Sequence, residues 1–380
     1  MVQPIYLDYN GTTPHDPEVI AVMRPYLETE FGNPSSSHWY GIRPKRALEK
    51  ARQQVAAMLN CEAAEVFFTS GGTESNNHAI KGMARALKNK GRHIITSTVE
   101  HPAVLAVCDY LKNEGFQTTR VGVDTTGRVS ADAVAAAIRP DTILITIMHA
   151  NNEVGTLQPL GDIALLARQN GICIHTDAAQ SAGKIATDVQ EMNIDLLSIA
   201  GHKIYAPKGI GALYVKKGLL PEKFCHGAGQ EVGWRAGTEN VLEIVGLGKA
   251  CEMADRSIEH TGRHLTAMRD RLHNGLAAQL DDLRLNGHPV ERLPNTLSLS
   301  FKDLEANRIL EEIGLEVAAS AGAACHSDTV ILSHVLEAMQ IPLQWAKGTV
   351  RFSTGRMTTT DEIDKAVAVV VGAVKRLRSI

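Results

Sequence analysis

Five segments of the chain place reactive or anion-binding residues directly after short β-rich apolar runs. Ser70-Gly71-Gly72-Thr73-Glu74 follows Val66-Phe67-Phe68-Thr69, and Glu100-His101 follows Ile94-Ile95-Thr96. Asn151-Asn152 follows the apolar run 143–148, and Asp177-Ala178-Ala179-Gln180 follows Ile172-Cys173-Ile174-His175. Gly201-His202-Lys203 comes last, after Leu196-Leu197-Ser198-Ile199 and Ala200.

Each segment has a chemical reading and a plainer one. The glycine pair at 71 and 72 lets backbone N–H groups approach a phosphate at a helix start, with the Thr73 hydroxyl beside them. The same residues also make an ordinary strand-to-helix turn, and they match neither a Walker A loop nor a dinucleotide fingerprint. Asp177 ends a strongly apolar run, where an ionised carboxylate needs a partner such as a protonated ring nitrogen. It is equally a helix N-cap residue. Gln180 suits a phenolic oxygen or a helix surface. His101 can stack on a ring and carry a proton near neutrality, or simply start a helix beside Pro102. Asn152 can bond a ring oxygen or shape a turn. Lys203, desolvated and next to His202, is a candidate Schiff-base lysine because burial and neighbouring cations lower an amine's pKa. His202 is then a candidate phosphate ligand.

Two further residues lie outside this stretch. Cys325 follows a run of small residues and precedes His326, which suits a nucleophilic thiolate; most cysteines are instead small buried hydrophobes. By that argument Cys61, Cys108, Cys173 and Cys251 are structural, and Cys225, beside His226, stays open. Arg351 is placed to take a carboxylate in two-pronged fashion, with Arg356 as its competitor.

Such a set must be positioned by several elements at once. From about 65 to 215, strand-like runs alternate with helical patterns at 74–89, 101–113, 130–138 and 160–169. That alternation predicts an α/β domain with a mostly parallel sheet. Ligands bind such a sheet at the carboxyl ends of its strands, where all five segments fall. Further on, a helical stretch at 239–280 precedes strands at 296–300 and 350–353 and a helix from about 360. These predict a smaller α+β domain, joined by the N-terminal segment folding back. The expected division is 15–255 for the large domain, and 1–14 with 256–380 for the small one.

Composition sets the outer limits. The chain has 380 residues, 44% hydrophobic and 21% charged, and a formal charge of −3. No basic excess predicts nucleic-acid binding. Six cysteines without a C-x-x-C pair predict neither a disulfide framework nor a metal site, and suit a reducing compartment. With no leader-like start and no apolar run long enough for a bilayer, a cytoplasmic protein is expected.

Taken together, Ser-Gly-Gly-Thr-Glu-Ser-Asn-Asn (70–77), Glu-His (100–101), Asn-Asn-Glu-Val-Gly (151–155) and His-Thr-Asp-Ala-Ala-Gln (175–180) form a specific pattern. It continues in Gly-His-Lys-Ile-Tyr-Ala-Pro-Lys-Gly-Ile-Gly-Ala-Leu-Tyr-Val (201–215), Arg-Ala-Gly-Thr-Glu-Asn (235–240), Gly-Ala-Ala-Cys (322–325) and Val-Arg-Phe-Ser-Thr-Gly-Arg (350–356). The chain resembles the cysteine desulfurases and selenocysteine lyases of the class V aminotransferase fold from Leu7-Asp8-Tyr9-Asn10 to its last helix. The resemblance implies a fold-type I homodimer that carries pyridoxal 5′-phosphate (PLP) on Lys203. Asp177 would pair with the ring nitrogen, and His101 would lie over the ring. Asn152 and Gln180 would hold the 3-oxygen side. Gly72, Thr73 and His202 would line the phosphate site, joined by Thr238 of the second copy. Arg351, with Asn152, would bind the substrate carboxylate. Cys325 would take sulfur from L-cysteine and pass it to an acceptor protein.

Two positions depart from the family pattern. Ala200 stands where many desulfurases have a serine, which removes one phosphate hydrogen bond. The Cys-His-Ser-Asp sequence is closer to selenocysteine lyases, whereas the length from Cys325 to Arg351 suits desulfurases with a long, mobile cysteine loop. The expected activity is therefore cysteine desulfuration, with selenocysteine lyase second. A transaminase and a non-catalytic scaffold are alternatives of other classes.

Overall fold

The computed structural model describes residues 3–326 and 329–379, with side chains at 323–331 outside the description. Its large sheet uses β2 (Val66–Thr69), β3 (His93–Ser97), β4 (Gln117–Val121), β5 (Thr142–Thr146), β6 (Cys173–Asp177), β7 (Leu196–Ala200) and β8 (Gly211–Val215). The spatial order is β2-β8-β7-β6-β5-β3-β4. β8 runs antiparallel to both neighbours, and the other pairs are parallel. Interior strands such as β5, β6 and β7 are buried at every position, as a sheet covered by helices on both faces requires. Two apolar layers do the covering, one on each face. The order reverses between β3 and β5, which opens a crevice at their carboxyl ends.

The helices α3 (Gly72–Leu87), α4 (Pro102–Lys112), α5 (Ala131–Ala137) and α6 (Leu160–Gln169) lie within about two residues of the four helical patterns in the sequence. α1 (Pro17–Glu28) and α2 (Trp39–Leu59) were not foreseen. α1 starts at Asp16, whose carboxylate accepts from the Glu18 amide; a Pro at the first helical position is a favoured start. α2 contains Pro44 near its beginning, which obscures its period.

α7 (Val241–Ala277) is a single long helix with two partners. Its first half inserts Ile244, Leu247, Cys251 and Ala254 into the core beneath the large sheet. Its second half inserts Met268, Leu272 and Leu276 into a separate core. Both sets keep the three-and-four spacing of one helical stripe. The separate core belongs to a four-stranded antiparallel sheet of β9 (Leu283–Asn286), β10 (Thr296–Phe301), β12 (Ser320–Ala321) and β15 (Thr349–Ser353), in the order β12-β15-β10-β9. α8 (Ala306–Ile313) and the C-terminal helix Thr360–Arg378 cover it.

The N-terminal segment does fold back. β1 (Ile5–Tyr6) pairs in parallel with β11 (Val317–Ala318), and Asp8 bridges to Ser353. Asp8, Asn10 and Gly11 are thereby carried to the mouth of the large sheet. Beyond β12, β13 (Ala323–His326) and β14 (Thr329–Leu332) form an antiparallel ribbon. Cys325 lies on that ribbon, and its side chain is outside the description.

Candidate active site

A cavity of about 300 Å³ opens at the carboxyl edge of the large sheet. Gly72 and Thr73 after β2, His101 after β3, Asn152 after β5, Asp177 and Gln180 at the end of β6, and Ala200, His202 and Lys203 at the end of β7 all line it. Arg351 reaches it from β15, and Asn10 and Gly11 from the N-terminal segment. Every sequence-derived candidate inside the chain is thus brought together except Thr238, which is exposed and outside the cavity, and Cys325, whose side chain is not described. Arg356 is elsewhere: it pairs with Asp16 and stacks 3.9 Å over the Tyr205 ring. Of the two arginines, Arg351 alone lines this cavity.

Lys203 sits on a short turn, Gly201–Lys203, that follows β7. Its Nζ donates to the backbone carbonyls of Asn10 and of Gly11, the latter at 2.6 Å. No carboxylate bonds it among the described residues. Burial pushes its pKa down to about 8, helped by Arg351 and opposed by Asp8 and Asp177. An amine in this state is readily freed of its proton, as a nucleophile requires. Next to it, burial and then Lys203 and Lys208 push His202 down to about 4. His202 Nδ1 lies 3.2 Å from Thr12 Oγ1.

Asp177 is the last residue of β6 rather than the first beyond it, and no helix follows. Its local turn is nonetheless helix-cap-like, since Oδ1 accepts from the Ala179 amide at 2.9 Å. Oδ2 accepts from Asn76 Nδ2 at 2.6 Å. Both donors are neutral and Asp177 forms no direct ion pair among the described residues, so a cationic ring nitrogen is a suitable occupant. Asn76 Oδ1 also faces the cavity region, buried and without a partner among the described residues.

His101 caps α4, and its Nδ1 accepts from the Ala103 amide at 3.1 Å. In the neutral ring that bond puts the proton on Nε2. Burial lowers its pKa, with Asp177 opposing and Lys203 and His334 assisting. Behind it, Glu100 is fully buried and pushed up to about 8 by desolvation. Glu100 accepts from Ser97 Oγ at 2.6 Å and from the Met148 amide at 3.0 Å. That carboxyl ties the loop after β3 to the loop after β5, which fixes where His101 stands.

The part of the cavity beside Gly72 is made of small residues and a helix start. A Cβ on Gly72 would stand 3.2 Å from the Ala200 Cβ and 3.8 Å from the Ala179 Cβ. Gly71, at φ 143°, supplies the turn that aims the first amides of α3 in a backbone region that favours glycine. On the opposite side, Arg351 donates to Asp8 Oδ1 at 2.8 Å and to the Asn152 carbonyl at 3.0 Å. Its Nε is buried without a partner among the described residues.

Asn10 was not recognised in the sequence, although it is 1% exposed and joins both sides. Its Nδ2 donates to the Asn152 carbonyl and to Thr296 Oγ1, its Oδ1 accepts from Asn295 and Lys184, and its carbonyl accepts from Lys203 and Gln180. Asn76 and Lys184 were missed as well, and Glu100 was named beside His101 without a role of its own. Asn76 lay inside a quoted motif without a role, and a buried lysine four residues after Gln180 gives no local signal.

None of the other cysteines lines the cavity. Cys108, Cys173 and Cys251 are buried, and desolvation raises the pKa of each. Cys61 is pushed up to about 12 by burial, with Glu65 and Glu62 adding to it. Cys225 is exposed and does not line the cavity.

The residues present fit PLP: a carboxylate held by neutral donors, an amine of lowered pKa, an imidazole of defined tautomer, and a glycine-lined helix start. Residues 5–366 match the Aminotransferase class-V family model. A protein named cysteine desulfurase IscS, from Dictyoglomus turgidum, is 45% identical over 381 residues, covering 100% of this chain and 97% of that one. A solved structure titled NifS-like protein superposes with a TM-score of 0.92 at 34% identity, covering 100% of both chains. Another, titled SspA in complex with cysteine, superposes with a TM-score of 0.81 at 37% identity, covering 93% of this chain and 99% of that one. The chain therefore belongs to the class-V aminotransferase family, whose cysteine desulfurases depend on pyridoxal 5′-phosphate.

Proposed function

We propose that this protein is a PLP-dependent cysteine desulfurase that converts L-cysteine to L-alanine and leaves the sulfur as a persulfide on Cys325. The observation that carries the reading is the convergence on one cavity of Lys203, with its lowered pKa, Asp177 and Arg351. The cofactor, when bound, supplies an electron sink for charge developing at the substrate Cα. Lys203 would hold it, Asp177, steadied by Asn76, would pair with its ring nitrogen, and His101 would lie beside the ring. Gln180 and Asn152 serve the ring-oxygen side. The α3 amides at Gly72, the Thr73 hydroxyl and His202 serve the phosphate, with Ala200 a wall that adds no hydroxyl.

The chain's own groups divide the remaining work. Arg351 binds the substrate carboxylate while Asp8 and the Asn152 carbonyl hold its guanidinium in place. Lys203 Nζ takes a proton from the substrate Cα and returns one. The Cys325 thiolate attacks the substrate sulfur, so a new S–S bond forms as the Cβ–S bond breaks. The electron pair of the broken bond stays with the alanine carbon skeleton, which is then protonated. A second thiol or an acceptor protein removes the persulfide.

Thr238, exposed on this chain, belongs to the phosphate site of a second copy, so the working unit is a homodimer. Two separate apolar cores joined by α7 support a large domain of 15–255 and a small domain of 1–14 with 256–380. The free cysteines of the described chain support a reducing, cytoplasmic setting. No helix of the described residues is long and apolar enough to cross a membrane.

Turnover of L-cysteine with separate assays for alanine and sulfide tests this reading. Wild type makes alanine and, with an added thiol, an equal amount of sulfide. Cys325→Ser should make neither at a useful rate. An active Cys325→Ser would overturn the persulfide route, and turnover of selenocysteine alone would reassign the substrate.

A further inference from the structure

Lys184 carries a buried amine that the reaction above leaves without a task. It is 6% exposed, and its Nζ lies 3.0 Å from Gln180 Oε1 and 3.2 Å from Asn10 Oδ1. Both partners are uncharged, and no carboxylate pairs with it among the described residues. Placing an amine there costs desolvation, so ordinary packing would be better served by an apolar side chain of the same length.

The two ends of a glutamine amide have nearly the same shape, and hydrogen-bond partners decide which end points where. Gln180 lines the cofactor cavity. Its Nε2 donates to the Asn10 carbonyl at 3.0 Å, but that carbonyl also accepts from Lys203. The hold on Nε2 therefore depends on a side chain that must move during the reaction. Lys184 grips the opposite end of the same amide and has no part in that motion. With Lys184 in place, a flipped Gln180 would set N–H against N–H at one end and oxygen against a carbonyl at the other.

We propose that Lys184 is a positioning residue that pins Gln180 Oε1, so that Gln180 presents an N–H donor to an oxygen of the bound cofactor. The inference rests on the cofactor role proposed above. Burial, reinforced by Lys203 and Arg351, holds the Lys184 pKa well below the usual lysine range, which agrees with an amine kept for its donors rather than its charge.

The test is a double-mutant cycle on PLP binding to the apoenzyme. PLP affinity is measured by equilibrium dialysis for wild type, Lys184→Met, Gln180→Ala and the double variant. Each single variant should bind PLP about tenfold more weakly, the scale of one lost hydrogen bond. The double variant should bind no more weakly than either single, because both remove the same contact. The pH at which the visible band of bound PLP changes should shift alike in the two single variants. If the losses multiply to about a hundredfold in the double variant, or Lys184→Met binds PLP as wild type does, the proposal is wrong. Lys184→Gln, too short to span both acceptors, completes the same cycle if Lys184→Met does not fold. A wild type that binds no PLP would overturn the cofactor reading itself, which the cycle distinguishes from failure of the Lys184 assignment.

Discussion

The two sides of the cavity are built differently. On the sheet side, Asp177, Lys203, His101 and Gly72 stand at the ends of strands buried at every position, so each is placed first by the strand that precedes it. On the other side, Arg351, Asp8 and Asn10 belong to β15 and an extended N-terminal segment, and they are fixed by one another. Arg351 needs Asp8 and the Asn152 carbonyl, and that carbonyl is shared with Asn10. The sheet side places reactive groups through the fold; the other side places a binding group through a hydrogen-bond network. Substitutions should therefore act locally on the first side and spread on the second.

Arg351 gives the largest expected effect on the network side. Arg351→Ala should raise the KM for L-cysteine by roughly 10- to 100-fold or more, since a charge-assisted hydrogen bond contributes about 1.5–3 kcal/mol. Arg356→Lys, outside the cavity and loosening the contacts with Asp16 and Tyr205, should lower the melting temperature and leave KM unchanged. Steady-state kinetics of the pair separates the two arginines; equal KM effects would erase the distinction drawn here.

Asn10→Ala probes how far an effect spreads. It takes one of two acceptors from each of the Asn295 and Lys184 donors and removes the donor to Thr296. A loss of about 1–3 kcal/mol in stability is expected, measured by urea unfolding of the apoenzyme, together with a higher KM. On the sheet side, Asn76→Ala should instead weaken PLP binding with KM for L-cysteine little altered. An unchanged KM in Asn10→Ala, or a KM for L-cysteine raised as much as PLP binding is weakened in Asn76→Ala, would contradict the contrast.

The smallest effect concerns pH. Lys203 has a folded pKa of about 8 against an ordinary 10.5, so folding disfavours its proton. The resulting destabilisation is fully present below pH 8 and is relieved as pH rises toward 10.5. Relative to Lys203→Met, the wild-type apoenzyme should gain about 1–3 kcal/mol of stability between pH 7.5 and 10. Melting curves of the two proteins across that range check the sign.

The same contrast explains what the sequence disclosed. Apolar strands followed by unusual polar residues made the sheet side legible, down to Asp177 and Lys203. β4 escaped because Gln117-Thr118-Thr119-Arg120-Val121 is an edge strand with exposed positions and lacks an apolar run. Asn10 escaped because a lone asparagine on an extended segment has no periodicity or spacing to mark it; its partners lie between 142 and 343 residues away. Lys184 escaped for a related reason, since a lysine is ordinarily read as solvated until its burial is seen. Arg351 and Arg356 were separable only once Asp8 and Asp16 had taken their places beside them.

The most direct test of the central claim is borohydride reduction of the PLP-loaded protein, followed by proteolysis and mass mapping of the modified lysine. The account predicts PLP on the peptide containing Lys203, none on Lys184, and none on any peptide of Lys203→Ala. A label on Lys184, or a label retained in Lys203→Ala, would contradict it.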